Sequence, residues 1–112
     1  MRVDYQKNDK TWSYLHYNKF SVGSASEEYP LTVGGFTGVG RDQFAYHKGM
    51  KFSTPDNDND KHSSANCAAA FKSGWWYNSC YNVNINTQPP VVYGNYVLFS
   101  EMKIRLKDCI TQ

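Results

Sequence analysis

Across residues 52–96 the chain shows almost no hydrophobic periodicity, and that stretch restricts the available folds more than any other feature. Asparagines crowd it, Pro89 and Pro90 block regular structure, and Asp56, Asp58 and Asp60 alternate with Asn57 and Asn59. A loop region this long needs something besides a sheet ladder to hold it, and a disulfide and a bound ion are the usual answers. Cys67 and Cys80 fall inside it at a spacing that suits a local disulfide, which would contribute roughly 3 kcal/mol by restricting the unfolded chain. Zinc does not fit the pattern: there is no C-x2-C pair, and His16, His47 and His62 are scattered. Cys109 is then the odd cysteine, and reads as an intermolecular tether or a free thiol.

Regular structure is expected on either side. "TWSYLHYNKFSV" (residues 11–22) is aromatic and roughly alternates, as a half-buried strand does. "YPLTV" (29–33) is a second strand-like run, ended by Gly34 and Gly35, and "FTGVGRDQF" reads as a loop. "EMKIRLK" (101–107) alternates most cleanly, with Met102, Ile104 and Leu106 facing one way and Lys103, Arg105 and Lys107 the other. No repeat or linker divides the sequence. The expected fold is α+β and mostly antiparallel β, a single domain over residues 1–112. Residues 1–50 and 97–107 would be mainly sheet, and 51–96 a loop-rich region that carries the ligands.

Composition removes several function classes. With 112 residues and 16% aromatics the chain is one folded domain rather than a disordered segment. A net charge of +2 with no Lys/Arg cluster argues against nucleic acid or an acidic membrane surface as partner. No apolar run approaches a membrane span, and "MRVDYQKNDK" lacks the features of a secretory leader. A secreted protein with this sequence would have lost its leader or would begin inside a longer precursor. An enzyme is disfavoured, because the histidines have no evident nucleophile or orienting partner and the carboxylates cluster in one loop.

The acidic run fits a solvated Asp/Asn turn, a disordered acidic patch or a calcium site. It is not an EF-hand, since Lys61 stands where that loop needs Gly and Cys67 where it needs a bidentate Glu. Calcium nonetheless needs only oxygens, some from carbonyls and water. Acids packed together with no Arg nearby repel one another unless a cation sits among them.

"HKGMKFSTPDNDND", "NCA", "GWWYNSC" and "SEMKIR", in that order, resemble the fibrinogen C-terminal-like domain. That family includes fibrinogen globular domains, ficolins, tachylectins, angiopoietins and invertebrate fibrinogen-related lectins. "YNKFSVG", "YPLTVGGFTG" and "YHKGM" extend the match over nearly the whole sequence, which corresponds to the second half of a family domain. The resemblance implies bound Ca2+, with side-chain oxygens from Asp58 and Asp60, carbonyls from His62 and Ser64, and Asp56 in support. It also implies a pocket for acetyl groups on N-acetylated sugars or sialic acid, built around Cys80. There a cis Ser79-Cys80 peptide would aim backbone N–H groups at the ligand, with Phe71 as an aromatic wall.

Two departures bear on that pocket. Tyr81 stands where many acetyl-binding members have His, and residues 82–100 form a shorter segment than usual, leaving Tyr93 or Tyr96 as substitute walls. Trp75 and Trp76 are expected in the core. The leading expectation is therefore a secreted, calcium-dependent, lectin-like module acting in innate defence, gathered into homo- or hetero-oligomers with Cys109 as a possible tether. The alternatives are a module that binds an extracellular protein through the same fold, favoured by its tyrosine-rich surface, and a structural subunit of an extracellular assembly.

Overall fold

The computed structural model describes residues 1–106. Its main feature is a four-stranded antiparallel sheet in the order β3-β2-β1-β6. The strands are β1 (Arg2–Gln6), β2 (Trp12–Val22), β3 (Leu31–Gly38) and β6 (Phe99–Lys103). A short hairpin of β4 (Val91–Val92) and β5 (Asn95–Tyr96) lies apart from it. The one α-helix among the described residues, α1 (Cys67–Phe71), is capped by Asn66, whose side-chain oxygen accepts from the Ala69 N–H at 3.1 Å. The fold is thus mostly antiparallel sheet with little helix.

β1 lies in the region expected to be mainly sheet but was not singled out as a strand, yet its pattern is regular once seen. Val3 and Tyr5 are buried against the core, while Arg2, Asp4 and Gln6 face outward. It sits between β2 and β6, pairing Val3 with Leu15 on one side and with Met102 on the other. Strands distant in sequence therefore meet through a segment of five residues.

β2 and β3 each change face at the same level. Leu15 and Tyr17 point into the core in the first half of β2, and Phe20 packs on Trp76 in the second. Opposite them, Phe36 lies against Tyr17 and Val33 pairs with Phe20. The switch falls at Asn18 and Gly35, and because both strands shift together the pairing register is the same on either side. Gly35 holds φ +66, and a Cβ there would come 1.7 Å from Asn18 Oδ1, so a side chain would be strained and would have to displace Asn18.

Two sequence expectations need correction. Gly34 and Gly35 do not end the strand, since β3 continues to Gly38 and takes in the start of the supposed loop. The last strand ends at Lys103, not Lys107. Among the described residues β1 alone pairs with it and runs out at Arg2 opposite Lys103, and Ile104 and Leu106 are 64% and 79% exposed. Lys107 itself lies outside the described residues.

The loop-rich half supplies the layer beneath the sheet. Trp75, Trp76 and Tyr77 are all buried there, as expected for the two tryptophans. Trp76 meets Phe20 and Phe52 edge-on, and Trp75 lies 6.0 Å from Phe44. Such indoles each bury enough apolar area to cost about 3–5 kcal/mol on truncation to Ala. Ser53 and Trp75 exchange backbone hydrogen bonds at 2.9 and 3.1 Å, fixing the acidic loop to this layer.

Candidate functional site

The acidic loop begins with a tight turn in which Thr54 and Asn57 exchange backbone hydrogen bonds. The Thr54 hydroxyl donates to Asp56 Oδ1 at 2.7 Å and, as the largest influence, holds that carboxyl below its ordinary range. Asp56 is thus spent on its own turn. Asn59 anchors the next residues through its N–H to Ser53 Oγ and its amide to the Phe52 carbonyl, both at 2.9 Å. With Asn59 turned inward, the carboxylates on either side of it belong to the outer bend.

Asp60 organises that bend. Its Oδ1 accepts the His62 N–H at 2.9 Å and its Oδ2 the Cys67 N–H at 2.8 Å, which ties the acidic run to the start of α1 and the disulfide. Asp58 Oδ1 accepts the Asp60 N–H at 3.2 Å. The His62 ring bonds inward, Nδ1 accepting from the Ala65 N–H at 3.0 Å and the Ser64 N–H at 3.3 Å. Among the described residues neither Asp58 nor Asp60 is ion-paired, and the carbonyls of His62 and Ser64 accept no intramolecular hydrogen bond.

This donor set fits a hard cation. Two carboxylates and two unengaged carbonyls are the oxygen ligands calcium prefers, and water completes such sites. Among the described residues no three His, Cys, Asp or Glu side chains converge to hold a metal. An ion here would therefore draw much of its coordination from carbonyls and water.

Cys67 and Cys80 form a disulfide with Cα atoms 5.6 Å apart. The Ser79-Cys80 peptide is cis, as is Gln88-Pro89. Tyr46 grips this corner from below: its hydroxyl donates to the Ser79 carbonyl at 2.8 Å and accepts the Ser79 N–H at 3.3 Å. The Asn78 side chain donates to the Tyr46 carbonyl at 2.8 Å, and the Lys61 N–H reaches the Asn78 carbonyl at 3.0 Å. That last bond couples the corner to the acidic loop. With Ser79 and Asn78 so engaged, the next two N–H groups, of Cys80 and Tyr81, donate to no protein acceptor among the described residues.

An aromatic wall stands beside them. Phe71, at the end of α1 and 42% exposed, meets Tyr81 edge-on at 4.8 Å. Tyr77 lies 6.3 Å from Tyr81, whose hydroxyl pKa is raised by burial first and by Tyr96 and Tyr77 second. The structure thus gathers Phe71, Ser79, Cys80 and Tyr81 beside the bend of Asp58, Asp60, His62 and Ser64. Tyr93 does not join them. Its hydroxyl donates to the carbonyls of Val39 at 2.9 Å and Arg41 at 3.2 Å, which turns its ring into a separate cavity. Cys109 lies outside the described residues.

His47 was missed as part of this site. Fully buried, it donates through Nδ1 to the Trp76 carbonyl at 2.9 Å and accepts at Nε2 from the N–H groups of Asn82 and Val83. Burial brings its pKa down from 6.5 to about 4, so the ring is neutral at physiological pH. It fixes both ends of the segment that carries the cis peptide. Asn84 does the same for the next turn, donating to the hydroxyls of Ser73 and Tyr77. The only signal in the sequence was His47 standing directly after Tyr46, in the block that carried the resemblance.

Residues 1–103 match the family of C-terminal globular domains found in fibrinogen beta and gamma chains. The protein belongs to this family. Fibrinogen-like domains are recognition and interaction modules. The sequence is 39% identical to fibrinogen-like protein A of Apostichopus parvimensis, over 94% of its length and 43% of that protein's. It is 41% identical to fibrinogen C domain-containing protein 1 of Mus musculus, over 79% of its length and 20% of the relative's. Among solved structures, the fibrinogen-like globe domain of human ANGPTL6 superposes with a TM-score of 0.72 at 34% identity, covering 76% of this protein and 38% of that one. Lamprey fibrin D-dimer, complexed with the peptide ligand Gly-His-Arg-Pro-amide, gives 0.65 at 34% identity, covering 71% and 29%. The sequence therefore spans less than half the length of each of these relatives. Among the described residues no helix is long and apolar enough to cross a membrane.

Proposed function

We propose that this fibrinogen-like domain is a secreted, calcium-dependent recognition module that binds acetyl groups on N-acetylated sugars or sialic acid. The observation that carries the reading is the pair of N–H groups on Cys80 and Tyr81, unengaged by protein among the described residues and set beside the edge-on rings of Phe71 and Tyr81. An acetyl carbonyl can accept from those donors while its methyl rests on the rings. A calcium ion would be held by Asp58 and Asp60 with the carbonyls of His62 and Ser64, and would stiffen the bend that bonds to Asn78. Single sites of this kind are weak, so several copies, with Cys109 as a tether, would supply avidity in innate defence.

Retention on an N-acetylated sugar resin tests this. It should be lost on chelation and in Phe71→Ala, whose half-exposed ring can be removed without opening the core. Retention indifferent to both treatments would sink the reading.

A second reading is favoured by one finding, the peptide bound by the lamprey relative. In that version the same corner docks an extracellular protein, and its backbone N–H groups donate to a peptide carbonyl. Loss of a pulled-down partner in Phe71→Ala, with no retention on the sugar resin, would select it.

A further inference from the structure

The second cavity, into which Tyr93 turns, has a chemistry of its own. It lies at the end of the β1–β2 hairpin on the core side of the sheet, under the β4–β5 hairpin, with a volume of about 510 Å³. That is within the range that holds a small molecule. Ser13 stands on its wall, paired across the sheet with Tyr5. The residue is only 8% exposed, and its hydroxyl is buried with no hydrogen-bond partner among the described residues. Buried hydroxyls are nearly always satisfied, so an orphan on a residue of the cavity wall marks a place where a ligand atom can bond.

The remaining walls define that ligand. Tyr5, Tyr93 and Tyr96 line it with aromatic rings, and the Tyr93 hydroxyl is already committed to the carbonyls of Val39 and Arg41. Among the described residues Lys7 and Arg41 supply two cations, neither in a salt bridge, and no carboxylate lines the space. Gly40 lets the loop close over the ring, since a Cβ there would fall 1.8 Å from Tyr93 Oη. Flat apolar walls call for a flat apolar body, and two cations with a waiting hydroxyl call for an anionic oxygen acceptor. We propose that this cavity binds a small aromatic carboxylate. Neither Phe71 nor Tyr81 lines this cavity, which adjoins their corner through Tyr96.

Phenylacetate is a suitable probe, since it lacks the acetamido group that the other corner would take. Titration followed through the backbone amide shifts of Ser13, Arg41 and Val97 should saturate at roughly millimolar concentration. Arg41→Gln combined with Lys7→Gln should weaken binding roughly tenfold, in line with a lost charge-assisted contact. Ser13→Ala should weaken it severalfold without lowering Tm, because the hydroxyl contributes no bond to the unliganded protein. Chelation and Phe71→Ala should leave it unchanged, which separates this site from the proposed acetyl site. Absence of saturation, equal binding of phenylacetamide or inorganic sulfate, indifference to the double variant, or loss on chelation would each overturn the assignment.

Discussion

His47 joins three backbone segments through one neutral ring, and its charge state sets how the domain responds to acid. In the folded protein burial brings its pKa down from 6.5 to about 4. The unfolded protein therefore takes up a proton near pH 6.5, while the folded one resists until about pH 4. The His47 contribution to stability should fall as pH drops through that window, by about 3 kcal/mol in all, and below it the loss continues as carboxyls held low in the folded protein, Asp56 among them, take up protons. Urea denaturation across the range is the check. His47→Gln should flatten the slope, and should lower stability at neutral pH by about 1–3 kcal/mol because Nε2 no longer serves two N–H groups. A wild-type slope unchanged in the variant would place the acid sensitivity elsewhere. Asp60 is the other residue on which the site turns. Asp60→Ala removes the acceptor for the His62 and Cys67 N–H groups, and should cost about 2 kcal/mol even with calcium absent. A denaturation midpoint unmoved in chelator would show those bonds to be unimportant.

At the scale of elements, the paired change of face in β2 and β3 is the feature most exposed to test. Gly35→Ala must place a Cβ at φ +66 against the Asn18 side chain, and should cost at least about 1–2 kcal/mol by thermal or urea denaturation. Along β6, Met102→Ala should cost about 2 kcal/mol, while Leu106→Ser should stay within about 0.5 kcal/mol because that side chain is mostly in water. Equal losses at the two positions would mean that the strand extends further than Lys103.

These positions also show how much was legible in the sequence. Alternation identified β2 and β6, because side-chain period is a local property. The end of β6 depends on where β1 stops, and β1 is too short to announce itself among charged residues. The backbone's passage through Gly34 and Gly35 depends on Asn18 across the ladder, a long-range fact. Similarly, the acidic loop, the disulfide and the Phe71–Tyr81 corner could be placed from short blocks of residues. The destination of Tyr93 could not, because its hydroxyl partners are carbonyls in a distant loop.

For the whole molecule, the loop-rich half does two jobs with one set of residues. Trp75, Trp76 and Tyr77 fill the core under the sheet, and the residues directly after them form the proposed recognition corner. The disulfide, Asp60 and His47 fasten that corner to α1, the acidic bend and the core layer respectively. Stiffness at the corner is thus a property of the fold as a unit. Reduction of Cys67–Cys80 should cost roughly 3 kcal/mol by thermal denaturation and abolish ligand retention at temperatures where the sheet persists. The most direct measurement is an NMR titration with N-acetylglucosamine that follows the backbone amides of Cys80 and Tyr81. With calcium present, both should shift saturably at roughly millimolar sugar, and with excess chelator neither should move. Stationary amides under both conditions, or the same shifts with and without calcium, would contradict the account.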